Sequence, residues 1–240
     1  MRFLHYTLIT VCSFFTALFL AWKLMQPVNY GYGLFYQWLN INDHIKTFAP
    51  QNRQGKTGFE LTAEAQHHRL FTEIGHAINN GGRGLRDLYY TVEGEQRILL
   101  TDAEATHLED VARLVDLMVP IGWAAVALWV LLLIFSTWRK LPLPTLGTSL
   151  MTLTIVGLVL LVSVFVIGPH KIFRAFHEIV FPAENQWFFY YQDSLMTTLM
   201  KAPDIFSAIT ILWVLLAIVC YLLQSAIMKV VGPQPTFRPH

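Results

Sequence analysis

Residues 117–168 read LMVPIGWAAVALWVLLLIFSTW, then Arg139-Lys140, then LPLPTLGTSLMTLTIVGLVLLVSVFVIG. A helix rises about 1.5 Å per residue and must cross about 30 Å of hydrocarbon, so a run of about 20 uncharged residues suffices for one crossing. The stretch holds two such runs, Leu117–Trp138 and Leu141–Gly168. Two bases and the Pro142/Pro144 pair part them, and neither proline can continue a helix. This is a membrane hairpin. Two further runs meet the same test, Phe3–Trp22 and Ile205–Met228. The predicted fold class is an all-α integral membrane protein, a single membrane domain over 1–240 with spans at about 3–22, 117–138, 141–168 and 205–228. A mostly helical extracytoplasmic domain, 23–116, is expected between helices 1 and 2, and an interfacial segment, 169–204, between helices 3 and 4.

Composition agrees with the spans. Of 240 residues 54% are hydrophobic and 14% charged, against about a quarter charged in an average soluble domain. Seventeen bases against 16 acids leave a net charge of +1, which excludes a basic field for nucleic acid. Cys12 and Cys220 both lie inside apolar runs, so a disulfide framework, a cysteine metal site and the four-helix thiol oxidases are excluded. No small-residue cleavage site follows the first run, and Ile9-Thr10-Val11 before Cys12 is wrong for a lipoprotein signal. The run reads as an uncleaved anchor.

Orientation follows from the charges. All 16 acids fall between Asp43 and Asp204, whereas Arg2, Arg139, Lys140, Lys229 and Arg238 occupy segments without any acid. By the positive-inside rule those segments are cytoplasmic. Both termini are then inside, and polar chemistry belongs to the outer face.

The outer segments carry local signals. Tyr30, Tyr32, Phe35, Tyr36 and Trp38 suit an anchor at headgroup level. Residues 48–58 read as loop. Thr62 is expected to cap a helix over 62–79, in which Leu70, Phe71, Ile74, Ala77 and Ile78 recur at helical spacing before Asn79-Asn80-Gly81-Gly82 stops it. Leu88–Leu100 suits a small hairpin or an irregular stretch equally. Thr101-Asp102-Ala103-Glu104 has the spacing of a capping box, in which the threonine accepts an early N–H and the glutamate reaches back. Nothing breaks that helix before the second span, so His107, ten residues before Leu117, stands about 15 Å above the membrane face. His177 follows Gly168 by nine residues and falls at the same depth. Two groups that titrate near neutral pH can meet there.

Other chemistry is poorly signalled. There is no Gly-x-Ser-x-Gly elbow, no Ser-x-x-Lys and no outer cysteine for a covalent intermediate. Gly81-Gly82-Arg83-Gly84 lacks the Lys-Ser/Thr and the helix start of a phosphate loop. His67, His68 and His76, near Glu64 and Glu73, lack His-Glu-x-x-His spacing, and neighbouring residues point about 100° apart on a helix. Surface or interface histidines are expected there, and no metal or other cofactor.

The pattern Leu100-Thr101-x-x-Glu104-x-x-His107-Leu108-x-Asp110-Val111, a membrane hairpin, and then Phe176-His177-x-x-x-Phe181-x-x-x-Asn185-x-Trp187 resembles the bacterial integral-membrane family of Lit-type lipoprotein intramolecular transacylases. The likeness runs from about Leu99 to Phe206 and takes in Asp193, Leu195 and Ala202-Pro203-Asp204-x-Phe206. It implies a membrane acyltransferase that moves an acyl chain from the sn-2 ester of a lipoprotein's diacylglyceryl group to the α-amine of the same N-terminal cysteine. The implied partners are a diacylated lipoprotein N-terminus, or another membrane lipid, and the bilayer. It also implies that His107 and His177 are the catalytic pair, one relieving the amine of its proton and the other donating to the departing oxygen. Glu104 and Asp110 are candidates to orient His107, Asn185 to donate to the oxyanion, and Phe176, Phe181 and Trp187 to line the substrate. A non-enzymatic membrane lipid- or protein-binding or assembly factor and a metal-dependent membrane enzyme remain as alternatives.

Overall fold

The computed structural model describes residues 2–232; Arg238 and the Arg2 side chain, used above for orientation, lie outside what is described. Nine α-helices and one β-hairpin are found among the described residues: α1 (Arg2–Met25), α2 (Tyr32–Trp38), α3 (Ile41–Phe48), α4 (Glu64–Ile78), β1 (Tyr89–Val92), β2 (Glu95–Ile98), α5 (Asp102–Trp138), α6 (Leu146–Ile167), α7 (Pro169–Val180), α8 (Leu195–Met200) and α9 (Asp204–Val231). Helices α1, α5, α6 and α9 are long and apolar enough to cross a membrane. The chain divides into two compact units, an apolar one (α1 to Leu24, Val119–Pro169 and α9 from Leu212) and a polar one (Met25–Met118 and His170–Ile211).

In the apolar unit α1 packs on α9 through Ala17, Ala21, Ala217, Cys220 and Tyr221, and Ile9, Cys12, Trp129 and Met228 form a second cluster. Small residues let backbones approach: a side chain at Gly122 would collide with the ring of Phe19. Polar groups inside this unit bond across helices, as in Trp213 Nε1 to the Leu18 carbonyl at 2.8 Å and Ser225 Oγ to Ser149 Oγ at 2.7 Å. The turn between α5 and α6 closes on Lys140 in the left-handed region (φ 52°), with the Leu141 N–H donating to the Ser136 carbonyl. The third span was expected from Leu141, but the helix starts at Leu146. Pro142 and Pro144 hold 141–145 out of it, and the hydroxyl of Thr145 caps it by accepting from the Thr148 N–H.

The polar unit has its own core, in which Tyr32, Tyr36, Ile41, Ile45, Phe59, Leu70, Ile74, Leu195 and Leu199 are fully buried or nearly so. Helix α4 contributes the expected stripe: Leu70, Phe71, Ile74 and Ala77 are buried, and Phe71 stacks on Tyr32 with ring centroids 3.9 Å apart. Thr62 does not cap α4. The cap position is Ala63, with no side-chain bond, because the Thr62 hydroxyl donates to the Phe59 carbonyl at 2.6 Å and meets His67 Nε2 at 2.7 Å. The 88–100 stretch is a hairpin, with Tyr89 opposite Ile98 and Val92 opposite Glu95. Its two-residue turn has positive φ at both Glu93 (54°) and Gly94 (84°), the geometry that matches strand twist. The capping box forms as its spacing requires: the Thr101 N–H donates to Glu104 Oε2 at 2.6 Å and the Glu104 N–H to Thr101 Oγ1 at 3.3 Å. From it α5 runs unbroken through Pro120 to Trp138.

Candidate active site

Within the polar unit the first turns of α5 present His107, and α7 presents His177. Helix α7 begins at Pro169, directly after Gly168, whose φ of 89° ends α6. Pro169 fits a helix start because its missing N–H would have no partner there. On α7 the buried His177 is one turn after Phe173, and their rings lie 4.1 Å apart. The His177 and His107 rings face each other at 6.2 Å between centroids, inclined by 31°.

Aromatic rings enclose the pair. Phe181 lies 5.1 Å from His107 and 5.3 Å from His177, Trp187 lies 4.7 Å from His177, and Phe189 lies 6.1 Å from His107. Phe176 meets the edges of His177 at 5.3 Å and Phe181 at 6.1 Å while remaining about half exposed. All three expected lining residues therefore touch the histidines, directly or through one ring. Phe173 and Phe189 were missed. Phe173 was visible as a ring four residues before His177 on the same helix face, and Phe189 as the residue two after Trp187 in an alternating run.

Hydrogen bonding differs between the two imidazoles. His177 Nδ1 lies 2.8 Å from the Phe173 carbonyl oxygen; a carbonyl only accepts, so Nδ1 carries the hydrogen and the neutral ring keeps its lone pair on Nε2. His107 Nδ1 is buried and has no hydrogen-bond partner among the described residues. Burial pushes the His107 pKa down to about 4, and the neighbouring His177 charge adds to the shift, so His107 is neutral at physiological pH.

The polar candidates take other places than the histidines' nitrogens. Glu104 is fully buried; its carboxylate accepts from the Thr101 N–H, the Ser194 hydroxyl and the Met196 N–H, which binds α5 to the start of α8. Asp110, 4% exposed, accepts from the Arg113 guanidinium and, at 2.7 Å, from Asn185 Nδ2. Neither carboxylate bonds His107. Asp110 instead holds the loop that follows α7, and with it Trp187 and Phe189, against the histidine pair. Ser194 carried no sequence signal, since its partner Glu104 is fixed only by the fold, whereas Arg113 was visible as the base three residues after Asp110 on one helix. Among the other histidines, His67 is fully buried between Tyr36 and Thr62, and His68 pairs with Glu64 at 3.3 Å on a half-exposed face.

Comparison with known proteins then decides the family. The family model described as lipoprotein intramolecular transacylase Lit matches residues 7–206. The chain belongs to the lipoprotein intramolecular transacylase family. By that membership it is a membrane acyltransferase. Two solved structures share the fold, both of the membrane-integral lipoprotein intramolecular transacylase Lit from Bacillus cereus. One, a point mutant, has a TM-score of 0.67 at 16% identity, covering 96% of this chain and 92% of that one. The other has a TM-score of 0.65 at 18% identity, covering 96% and 95%. No curated protein sequence matches the chain.

Proposed function

We propose that this transacylase moves an acyl chain from the sn-2 ester of a diacylated lipoprotein to the α-amine of the same N-terminal cysteine, by chemistry at the His107/His177 pair, with His177 as base and acid and His107 as oxyanion donor. Donor and acceptor sit on one molecule, so holding them together replaces the covalent intermediate for which the sequence offers no nucleophile. The observation that carries the reading is the facing histidine pair, one ring with its lone pair fixed on Nε2 and the other kept neutral by burial.

The roles follow from those states. The amine, of ordinary pKa about 7.7–8.0, attacks the ester carbonyl carbon and its proton passes to His177 Nε2. As the C–N bond forms, the carbonyl oxygen becomes an oxyanion, and neutral His107 donates its one ring N–H to it. The C–O bond to the sn-2 oxygen then breaks, the proton on His177 moves to that oxygen, and both imidazoles return to their starting states. This gives His107 the part first expected of Asn185, whose amide is engaged by Asp110. Phe176, Phe181 and Trp187 hold the acyl chain beside the pair.

The topology that goes with this chemistry has both termini in the cytoplasm and the polar unit outside, from the charge distribution that favours bases at the α5–α6 turn. Cysteine labelling at Gln54 from outside and at Thr145 from inside tests it. The reaction itself is tested by mass spectrometry of a reporter lipoprotein. Wild-type protein shifts one acyl chain from glycerol to nitrogen at constant total mass. No shift with the wild type, or an undiminished shift after His107→Ala and His177→Ala together, contradicts the proposal.

A further inference from the structure

Beyond the histidine pair, the residues that cover it continue into an unpaired edge. From Gln186 to Tyr190 the chain is neither helix nor strand, yet its burial alternates as in an extended chain: Trp187 and Phe189 turn toward His177 and His107, while Phe188 (53% exposed) and Tyr190 (62%) turn outward. Tyr190 itself has extended backbone angles, φ −75° and ψ 152°. The backbone of this stretch is half used. The Phe188 carbonyl accepts from the Gln186 side chain at 2.9 Å, and the Tyr190 carbonyl from the Asp193 N–H at 2.9 Å. Trp187 and Phe189, whose polar groups point the other way in an extended chain, are bonded through neither N–H nor C=O to any described residue. Phe189 is only 8% exposed because its ring turns inward, and an extended stretch whose main-chain groups lack partners is a template for a further strand.

Where the stretch ends there is a polar cavity of about 500 Å³ lined by Gln51, Arg53, Tyr190 and Gln192. Its walls are tied together by the Arg53 N–H to the Gln192 carbonyl at 2.7 Å and by the Arg53–Asp193 ion pair at 2.7 Å. The edge thus begins at the Trp187 ring packed against His177 and leads to amide and phenol groups and a guanidinium held by Asp193, which suit a peptide backbone and not an acyl chain.

We propose that Gln186–Tyr190 is a docking edge for the polypeptide that follows the acylated N-terminal cysteine. The peptide lies beside it as an added strand, bonded to the free groups of Trp187 and Phe189, and its further residues enter the Gln51/Arg53/Gln192 cavity. This rests on the transacylase reading and adds a specificity subsite to it. One property follows directly: recognition is through main-chain groups, so it tolerates many sequences, with alternate side chains set against Phe188 and Tyr190.

The test compares synthetic diacylglyceryl-cysteine lipopeptides in micelles with the full-length protein, one ending a single residue after cysteine and one extended by about ten residues. The long peptide is expected to have a KM lower by roughly tenfold at similar kcat. In the long peptide, N-methylation of successive backbone nitrogens is expected to raise KM at every second position only, and Tyr190→Ala to shrink the advantage of the long substrate. Equal KM for the two lengths, or a flat N-methyl scan, overturns the docking edge while leaving acyl transfer intact. Failure of both peptides to be acyl-shifted removes the transacylase reading, and this proposal with it.

Discussion

His67 and His107 are two histidines of the polar unit that burial treats alike and hydrogen bonding treats differently. Each is pushed down to a pKa of about 4, chiefly by loss of water. At His67 every polar atom is used. The Thr62 hydroxyl spends its only hydrogen on the Phe59 carbonyl, so it must accept from His67 Nε2–H, and the Tyr36 hydroxyl then donates to Nδ1 at 2.7 Å. That closed chain ties the segment before α4 to α2 and leaves no lone pair for chemistry. At His107 the Nδ1 atom is buried and unpaired, and a second imidazole faces the ring. An unpaired nitrogen alone does not mark a site, since His44 Nε2 is also buried and unpaired among the described residues, packed by Phe48 and Tyr191 with no other described histidine in ring contact. What distinguishes the proposed catalytic pair is the unspent nitrogen together with a partner whose tautomer is fixed by the Phe173 carbonyl.

The sharpest way to break this contrast is by replacement. His177→Ala and His107→Ala should each lower turnover per folded molecule by about 10²–10⁴, as loss of a general acid, base or oxyanion donor does, far beyond what the vacated ring volume costs in stability. The double variant should be little worse than the poorer single one, because the two rings act as a unit. Acyl-shift rates from mass spectrometry, set beside thermal unfolding, check both statements. His67→Ala should behave in the opposite way. It empties a buried site and strands the Tyr36 and Thr62 hydroxyls, costing roughly 2–4 kcal/mol of stability, while turnover per folded molecule stays within about twofold. Thr62→Val should do the same on a smaller scale, about 1 kcal/mol, by leaving Nε2–H unpaired.

Acid should act on both regions at once. His44, His67 and His107 have folded pKa values of about 4, below the ordinary 6.5. Between those values the unfolded chain takes up protons that the folded one refuses. Their contribution is therefore whole above pH 6.5 and is lost as pH falls toward 4. The denaturation midpoint of the polar unit should drop between pH 6.5 and 5, with up to about three protons bound on unfolding, and His67→Gln should make that slope shallower.

The sequence makes some of this visible and hides the rest for physical reasons. The four crossing helices are legible because length and apolarity decide them locally, and the capping box because Thr101 and Glu104 are three residues apart and serve each other. The juxtaposition of His107 and His177 could be anticipated from counting residues outward from two spans. Thr62 misled because a hydroxyl before a helix has more than one acceptor in reach, and the Phe59 carbonyl and His67 won. The 89–98 hairpin stayed undecided because its Glu93-Gly94 turn lacks the usual Asn or Asp before glycine. The Asp110–Asn185 bond joins residues 75 apart, and no local pattern shows that Asn185 clamps a loop.

The central claim, that His107 is neutral and that His177 carries its hydrogen on Nδ1 as acyl transfer needs, is read most directly by ¹⁵N NMR of histidine-labelled protein in micelles at pH 6. Assignment comes from the loss of signals in His107→Gln and His177→Gln. The account predicts a neutral His107 that stays neutral to about pH 5, and a neutral-state His177 with its hydrogen on Nδ1 and a bare Nε2. A His107 that is half protonated near pH 6.5, or a neutral His177 with its hydrogen on Nε2, would contradict it.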